Sequence, residues 1–226
     1  MKIQIHILFI LLFITFGYSQ NKTVDYPNFI GKDFESIQKN KDWSIIDQVS
    51  GHLNNDSKKD MALVLESKNY INEKRCNDCD VSKNKGRIVL ILLDEKEKLV
   101  VHTQNNKFIA RPDEGGMALS IKPIIVIENR EFIIFQQYTR SFQSYTFKFQ
   151  EQQLNIIRAN GGGVDAASGA TENNKYDFIK GKLTIQRSNI SSKDETTEIV
   201  SFNIKPKALS EFKEMYEWEV IKNHFL

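Results

Sequence analysis

The stretch Ser141-Phe142-Gln143-Ser144-Tyr145-Thr146-Phe147-Lys148-Phe149-Gln150 decides the fold class. Tyr145, Phe147 and Phe149 recur at every second position with polar residues between them. That period of two is the signature of a half-buried β-strand, not of a helix. Working outward, Asn129-Arg130 is a turn leading into Glu131 to Tyr138, and Glu151-Gln152 turns the chain into Leu154 to Arg158. Short apolar runs separated by polar turns read as an antiparallel meander.

The same reading extends in both directions. Upstream, Met61 to Leu65 and Arg87 to Leu93 are apolar on both faces, which predicts two buried strands paired as a long hairpin. Leu99 to His102 continues after a charged turn. Ala118 to Ile127 is a strand candidate interrupted by Pro123, which implies an edge or a bulge. Downstream, Asn160-Gly161-Gly162-Gly163 opens a stretch read as flexible to about Asn174. Tyr176 to Ile179, Lys182 to Arg187 and Thr197 to Ile204 are further strands. A short helix is expected over Asp33 to Asn40, with Asp33 at its N-terminal end. Leu209, Phe212, Tyr216 and Val220 follow helical spacing, so an amphipathic helix is expected over Ala208 to Lys222. The expected fold is mainly β (α+β): an antiparallel meander of eight to ten strands, a short N-terminal helix and a C-terminal amphipathic helix.

The first residues read as a targeting segment. Lys2 precedes the apolar run Ile7 to Ile14, and Gly17 and Ser19 are the small residues a signal peptidase needs, with cleavage expected between Ser19 and Gln20. The apolar stretch falls short of the roughly 20 residues that span a bilayer. The expected organisation is therefore a signal peptide over 1–19, an extended lead over 20–32 and a single β-rich domain over 33–226. The processed chain is expected in the periplasm or medium, with no integral membrane segment. The formal net charge is +2 over 226 residues. Nucleic acid as a main partner needs a basic excess that this chain lacks.

The two cysteines, Cys76 and Cys79, lie in a polar Asn-, Lys- and Asp-rich segment. In an exported chain the pair reads as a short local disulfide; free thiols and redox or metal chemistry are the alternatives. A zinc site would need two more ligands nearby.

One segment carries the chemistry of a metal loop. In Gly51-His52-Leu53-Asn54-Asn55-Asp56-Ser57-Lys58-Lys59-Asp60, oxygen donors recur at every second residue. Asn54, Asp56 and Asp60 would supply side-chain oxygens and Lys58 its backbone carbonyl, a set suited to Ca2+. The alternative is a hydrogen-bonded Asn/Asp turn without metal. Gly51, Leu53, Asn54, Asp56 and Asp60 resemble the aspartate-rich loop of FG-GAP and VCBS-type repeat proteins. His52 stands where the first Asp of that pattern belongs, and Ser57 where its Gly belongs. With Gly115-Gly116 and Ser144 to Gln150, the chain resembles exported bacterial proteins of unknown function that carry one degenerate loop of this type. The resemblance implies a single β-rich domain and brings no activity with it.

No Gly-x-Ser-x-Gly elbow and no His-Glu-x-x-His occurs in the sequence. His52, His102 and His224 have no partner spacing, and Gly161 to Gly163 lacks the Lys-Ser/Thr of a phosphate loop. Asp113-Glu114 beside Gly115-Gly116 could flank a cleft, and Arg140 between Tyr138 and Phe142 could bind an anion. The expected function is a non-enzymatic exported protein that binds an envelope or extracellular partner, with calcium as a candidate stabiliser. The competing expectation is a hydrolase of unfamiliar type with acids near Gly115-Gly116. An exposed aromatic patch on a sheet would favour the binder; close-set buried acids facing a pocket would favour the enzyme.

Overall fold

The computed structural model describes residues 26–226, apart from 77, 118–120, 193 and 215–216. The expected signal peptide and its cleavage point lie outside the described residues, as does Tyr216. Two antiparallel sheets carry the architecture. The shorter pairs β1 (Trp43–Gly51), β2 (Asp60–Ser67), β5 (Arg87–Glu95) and β6 (Lys98–Asn105) in that order. Between β2 and β5 the chain makes a small hairpin of β3 (Ile71–Glu73) and β4 (Ser82–Asn84). The longer sheet is an uninterrupted seven-stranded meander. It runs through β7 (Ile124–Glu128), β8 (Glu131–Gln137), β9 (Ser141–Gln150), β10 (Gln153–Val164), β11 (Ala170–Asp177), β12 (Lys182–Asn189) and β13 (Glu195–Ser201).

The missing alternation in β2 and β5 has a direct cause: both faces of the short sheet are covered. Ala62, Val64, Val89, Ile91 and Leu93 join one core with Phe132, Ile134, Tyr145, Phe147 and Leu183 of the long sheet. Leu63, Leu65, Ile88, Leu90 and Leu92 face the other way, onto Phe29, Ile37 and Trp43. Phe29 comes from the N-terminal lead, Trp43 from the start of β1 and Ile37 from the helix α1 (Phe34–Gln38), whose N-cap Asp33 accepts from the Ser36 amide at 2.9 Å. Strands buried on both faces read as continuous apolar runs.

Pro123 directly precedes β7, which is an edge strand of the long sheet. The turns Lys96-Glu97, Asn129-Arg130 and Glu151-Gln152 each hold two residues at positive φ. This is the twist-matching geometry of two-residue hairpins.

Two expectations are corrected. The segment Gly161 to Gly163 is not a flexible opening: it continues β10 and pairs on both sides, with Phe142 opposite Gly162 in β9 and Asn173 opposite it in β11. The helix expected over Ala208 to Lys222 is not present either. Its described residues form a 3-10 turn, Leu209–Glu211, an extended stretch, and a terminal hairpin of β14 (Glu219–Ile221) and β15 (His224–Phe225). The buried Asn105 side chain donates to the carbonyls of Leu209 and Phe212, both at 2.7 Å. Those carbonyls therefore find their donor in β6 and not in a following helical turn. The apolar spacing still buries Leu209, Phe212 and Val220, through an extended path. Phe212 meets Phe108 and Phe147 edge-to-face at ring-centroid distances of 5.0 and 5.4 Å.

Candidate functional site

The Gly51–Asp60 loop folds around its own hydrogen bonds. Asp60 is fully buried at 0 % exposure. One of its carboxylate oxygens accepts from the amides of Leu53 (2.8 Å) and Asn54 (3.4 Å), and the other from the amide of Asp94 (3.2 Å). Asp56 accepts from the Lys58 amide and the Asn54 side chain, both at 2.8 Å. The Lys58 carbonyl lies 2.8 Å from His52 Nδ1. The donor set named for calcium is thus brought together, with the Lys58 carbonyl and both carboxylates hydrogen-bonded within the loop and Asp60 also to β5. Among the described residues no three His, Cys, Asp or Glu side chains are grouped to hold a metal. Gly51 has a separate reason to be glycine: a Cβ there would lie 2.5 Å from Ile127 Cγ2, where β1 crosses close to β7.

Cys76 and Cys79 form a disulfide in the turn of the β3–β4 hairpin. That hairpin is anchored by a buried ionic network that sequence reasoning did not find. Arg111, at 0 % exposure, donates through Nε to Glu73 (2.9 Å) and through Nη2 to the other Glu73 oxygen (2.5 Å). It also donates to the Tyr26 hydroxyl and to the carbonyls of Asn106 and Ile109. Tyr26 in turn donates to Glu73 at 2.5 Å. Burial alone would push the Glu73 carboxyl up. The hydrogen bonds and charge of Arg111 outweigh it, with Tyr26 and Arg75 adding to them, and hold the group below its ordinary range. Burial drives the Tyr26 phenol well above its usual range.

Of the two acids beside Gly115-Gly116, Glu114 belongs to this framework. Glu114 accepts from Arg75 Nε (2.6 Å) and from the Arg111 amide (2.8 Å). Asp113 is exposed. The Gly115 carbonyl accepts from Thr139 Oγ1 at 2.7 Å, tying this turn to the chain before β9. The partners of Arg111 lie as far as 85 positions away in the chain, so no local spacing signals the network. His52 and His102 are likewise held by local contacts, His102 through its ring nitrogen to Thr103 at 2.9 Å.

The open surface lies on the other side of the long sheet. The core takes the face bearing Ile125, Ile134, Tyr145, Ala159, Tyr176 and Leu183. The opposite face carries Ile124, Val126, Phe135 and Phe142. Ile124 is 53 % and Val126 36 % exposed. The Phe135 and Phe142 rings stack at a centroid distance of 6.0 Å and an interplanar angle of 25°. One register row crosses this face through Gln137, Phe142, Gly162, Asn173, Gln186 and Thr197, each directly opposite the next. Glycine leaves a gap in the row, and the Phe142 ring leans over it. A Cβ at 162 would lie 2.9 Å from Phe142 Cε1. The gap floors a cleft of about 560 Å³ rimmed by Arg140, Gln137, Gln186, Ser188 and Glu195. Arg140 also lines the shallow hollow beside Gly115-Gly116. The run of glycines read as a loop is therefore the floor of the candidate site, and the aromatic strand chosen for its core-facing side supplies Phe142 on the other side.

Compared with family models, curated proteins and solved structures, the chain matches none of them. Among the described residues no helix is long and apolar enough to cross a membrane.

Proposed function

We propose that this chain is an exported, non-catalytic binding protein that works through the solvent-facing side of its seven-stranded sheet. The observation that carries the reading is the stacked Phe135–Phe142 pair beside the Gly162 gap, with a cleft where β8 ends and β9 begins. Aromatic rings presented together on an open sheet give large contact area at low conformational cost. The buried charges near the alternative acidic site support a binding role. Glu73, Arg111, Arg75 and Glu114 are paired with one another and brace the fold. Export is supported by the leader-like first residues and by the disulfide, since oxidising compartments are where such bonds persist. A calcium ion at Asn54, Asp56, Lys58 and Asp60 would act on stability alone in this reading.

The test is hydrogen–deuterium exchange of the processed chain, alone and with extract from the cell envelope and medium. Added protection should concentrate in β8 to β12, and the captured ligand should be recovered unaltered. Protection elsewhere, or chemical turnover of the ligand, would retire the proposal.

A further inference from the structure

We infer that the cleft over Gly162 takes a neutral saccharide chain; this rests on the binding role proposed above and names its ligand class. The first argument is the arrangement of side-chain amides. Gln137, Asn173 and Gln186 stand in the same cross-strand row as the Phe142 ring. Gln137 Nε2 already donates to the Tyr138 and Ser141 carbonyls and Gln186 Nε2 to Glu195, so the two glutamines present their carbonyl acceptors and the second N–H of Gln186, and Asn173 its amide, in an array that suits vicinal hydroxyls. Thr171 and Ser188, 2.8 Å apart, add a hydroxyl pair at the next row. The side-chain oxygen of Asn173, which lines the cleft, has no hydrogen-bond partner among the described residues. It is an acceptor that a small rotation about χ2 turns toward a hydroxyl donor.

The second argument is the ring. A pyranose presents a face of C–H bonds of slight positive charge, which complements the negative face of an aromatic ring. Phe142, backed by Phe135 and overhanging a glycine, offers such a platform next to the amides. This pairing of one apolar plate with several planar amides fits a sugar better than a peptide side chain or a lipid tail.

The third argument is charge. The cleft holds two arginines and two glutamates: Arg187 and Glu172 bind each other at 2.8 Å, and Arg140 and Glu195 are opposite in sign. The site has no excess to draw an anionic polymer, and a single-stranded nucleic acid would need a basic groove beside its stacking rings. Its volume, about 560 Å³, lies in the range of ordinary ligand clefts and suits a short segment of a chain.

The experiment is titration calorimetry on the full processed chain. The probes are neutral hexasaccharides of glucose, xylose, mannose and N-acetylglucosamine, with a galacturonate hexasaccharide as the anionic comparison. At least one neutral probe should bind, and the galacturonate probe should not. Phe142→Ala should weaken that binding tenfold or more. Gln186→Ala, a surface change outside the core, should weaken it measurably with an unaltered circular dichroism spectrum. Absence of binding by all neutral probes, unchanged affinity in Gln186→Ala, or preference for galacturonate would overturn the inference. Hydrogen exchange separates the two claims. A non-saccharide ligand that protects β8 to β12 keeps the binding role and removes the sugar, whereas no protection there by any ligand removes both.

Discussion

Replacing Glu73 by Gln tests the framework that holds the β3–β4 hairpin to the body of the protein. Arg111 is fully buried and its guanidinium is matched by both Glu73 oxygens. Glu73→Gln removes the charge but keeps the shape, so Arg111 stays buried without its counter-ion. Breaking one partner of a buried pair costs about 3–5 kcal/mol, and the low end applies because one amide oxygen still accepts. With a urea m-value of about 2 kcal/mol per M, the midpoint should fall by about 1.5 M at neutral pH. Urea unfolding followed by tryptophan fluorescence reads this well, since Trp43 and Trp218 sit in the two separate core clusters. The pH dependence carries an independent sign. The folded Glu73 carboxyl titrates below its ordinary value of 4.5, so its contribution is present above that value and is lost as pH falls through the lower folded one. The wild type should lose stability over that acid range by an amount the Gln variant no longer shows. A midpoint shift under about 0.5 M, or the same acid loss in both proteins, would refute the reasoning.

Other outcomes follow from the same geometry. Asp60→Ala leaves the amides of Leu53, Asn54 and Asp94 without their acceptor in a buried site. It should cost about 2–3 kcal/mol in urea unfolding, equally with chelator and with excess calcium. A melting temperature that rises with calcium in the wild type and not in Asp56→Ala would instead assign an ion to the loop. Gly51→Ala pushes a methyl into Ile127 at the β1–β7 crossing and should cost about 1–3 kcal/mol, read as a lower thermal midpoint. Reducing Cys76–Cys79 opens only a very short loop, so the unfolding free energy should fall by about 2 kcal/mol or less, and thiol labelling should appear only after reductant.

Much of the long sheet was legible because its strands are amphipathic in the simplest way. Phe147 and Tyr145 go to the core and Lys148 and Ser144 away from it, as the period of two requires. The doubly apolar runs of β2 and β5 correctly announced a strand pair covered on both faces, and Pro123 announced an edge. The glycines at 161 to 163 misled because glycine marks both flexible loops and strands that need a gap; only the Phe142 ring in the neighbouring strand distinguishes the two. The C-terminal spacing misled because an extended chain lying across a concave core can bury Leu209, Phe212 and Val220 as a helix would. The decisive partner, Asn105, lies over a hundred residues upstream. The Arg111 network was invisible for the same reason of distance, and Tyr26, read as part of a loose lead, is one of its members.

The most direct test places a photo-reactive phenylalanine analogue at position 142 of the full chain in living cells, with Lys96 in the β5–β6 turn as the comparison site. Illumination should yield a discrete adduct from position 142 and none from 96. Equal labelling at both, or none at 142, would contradict the assignment of this sheet face as the working surface.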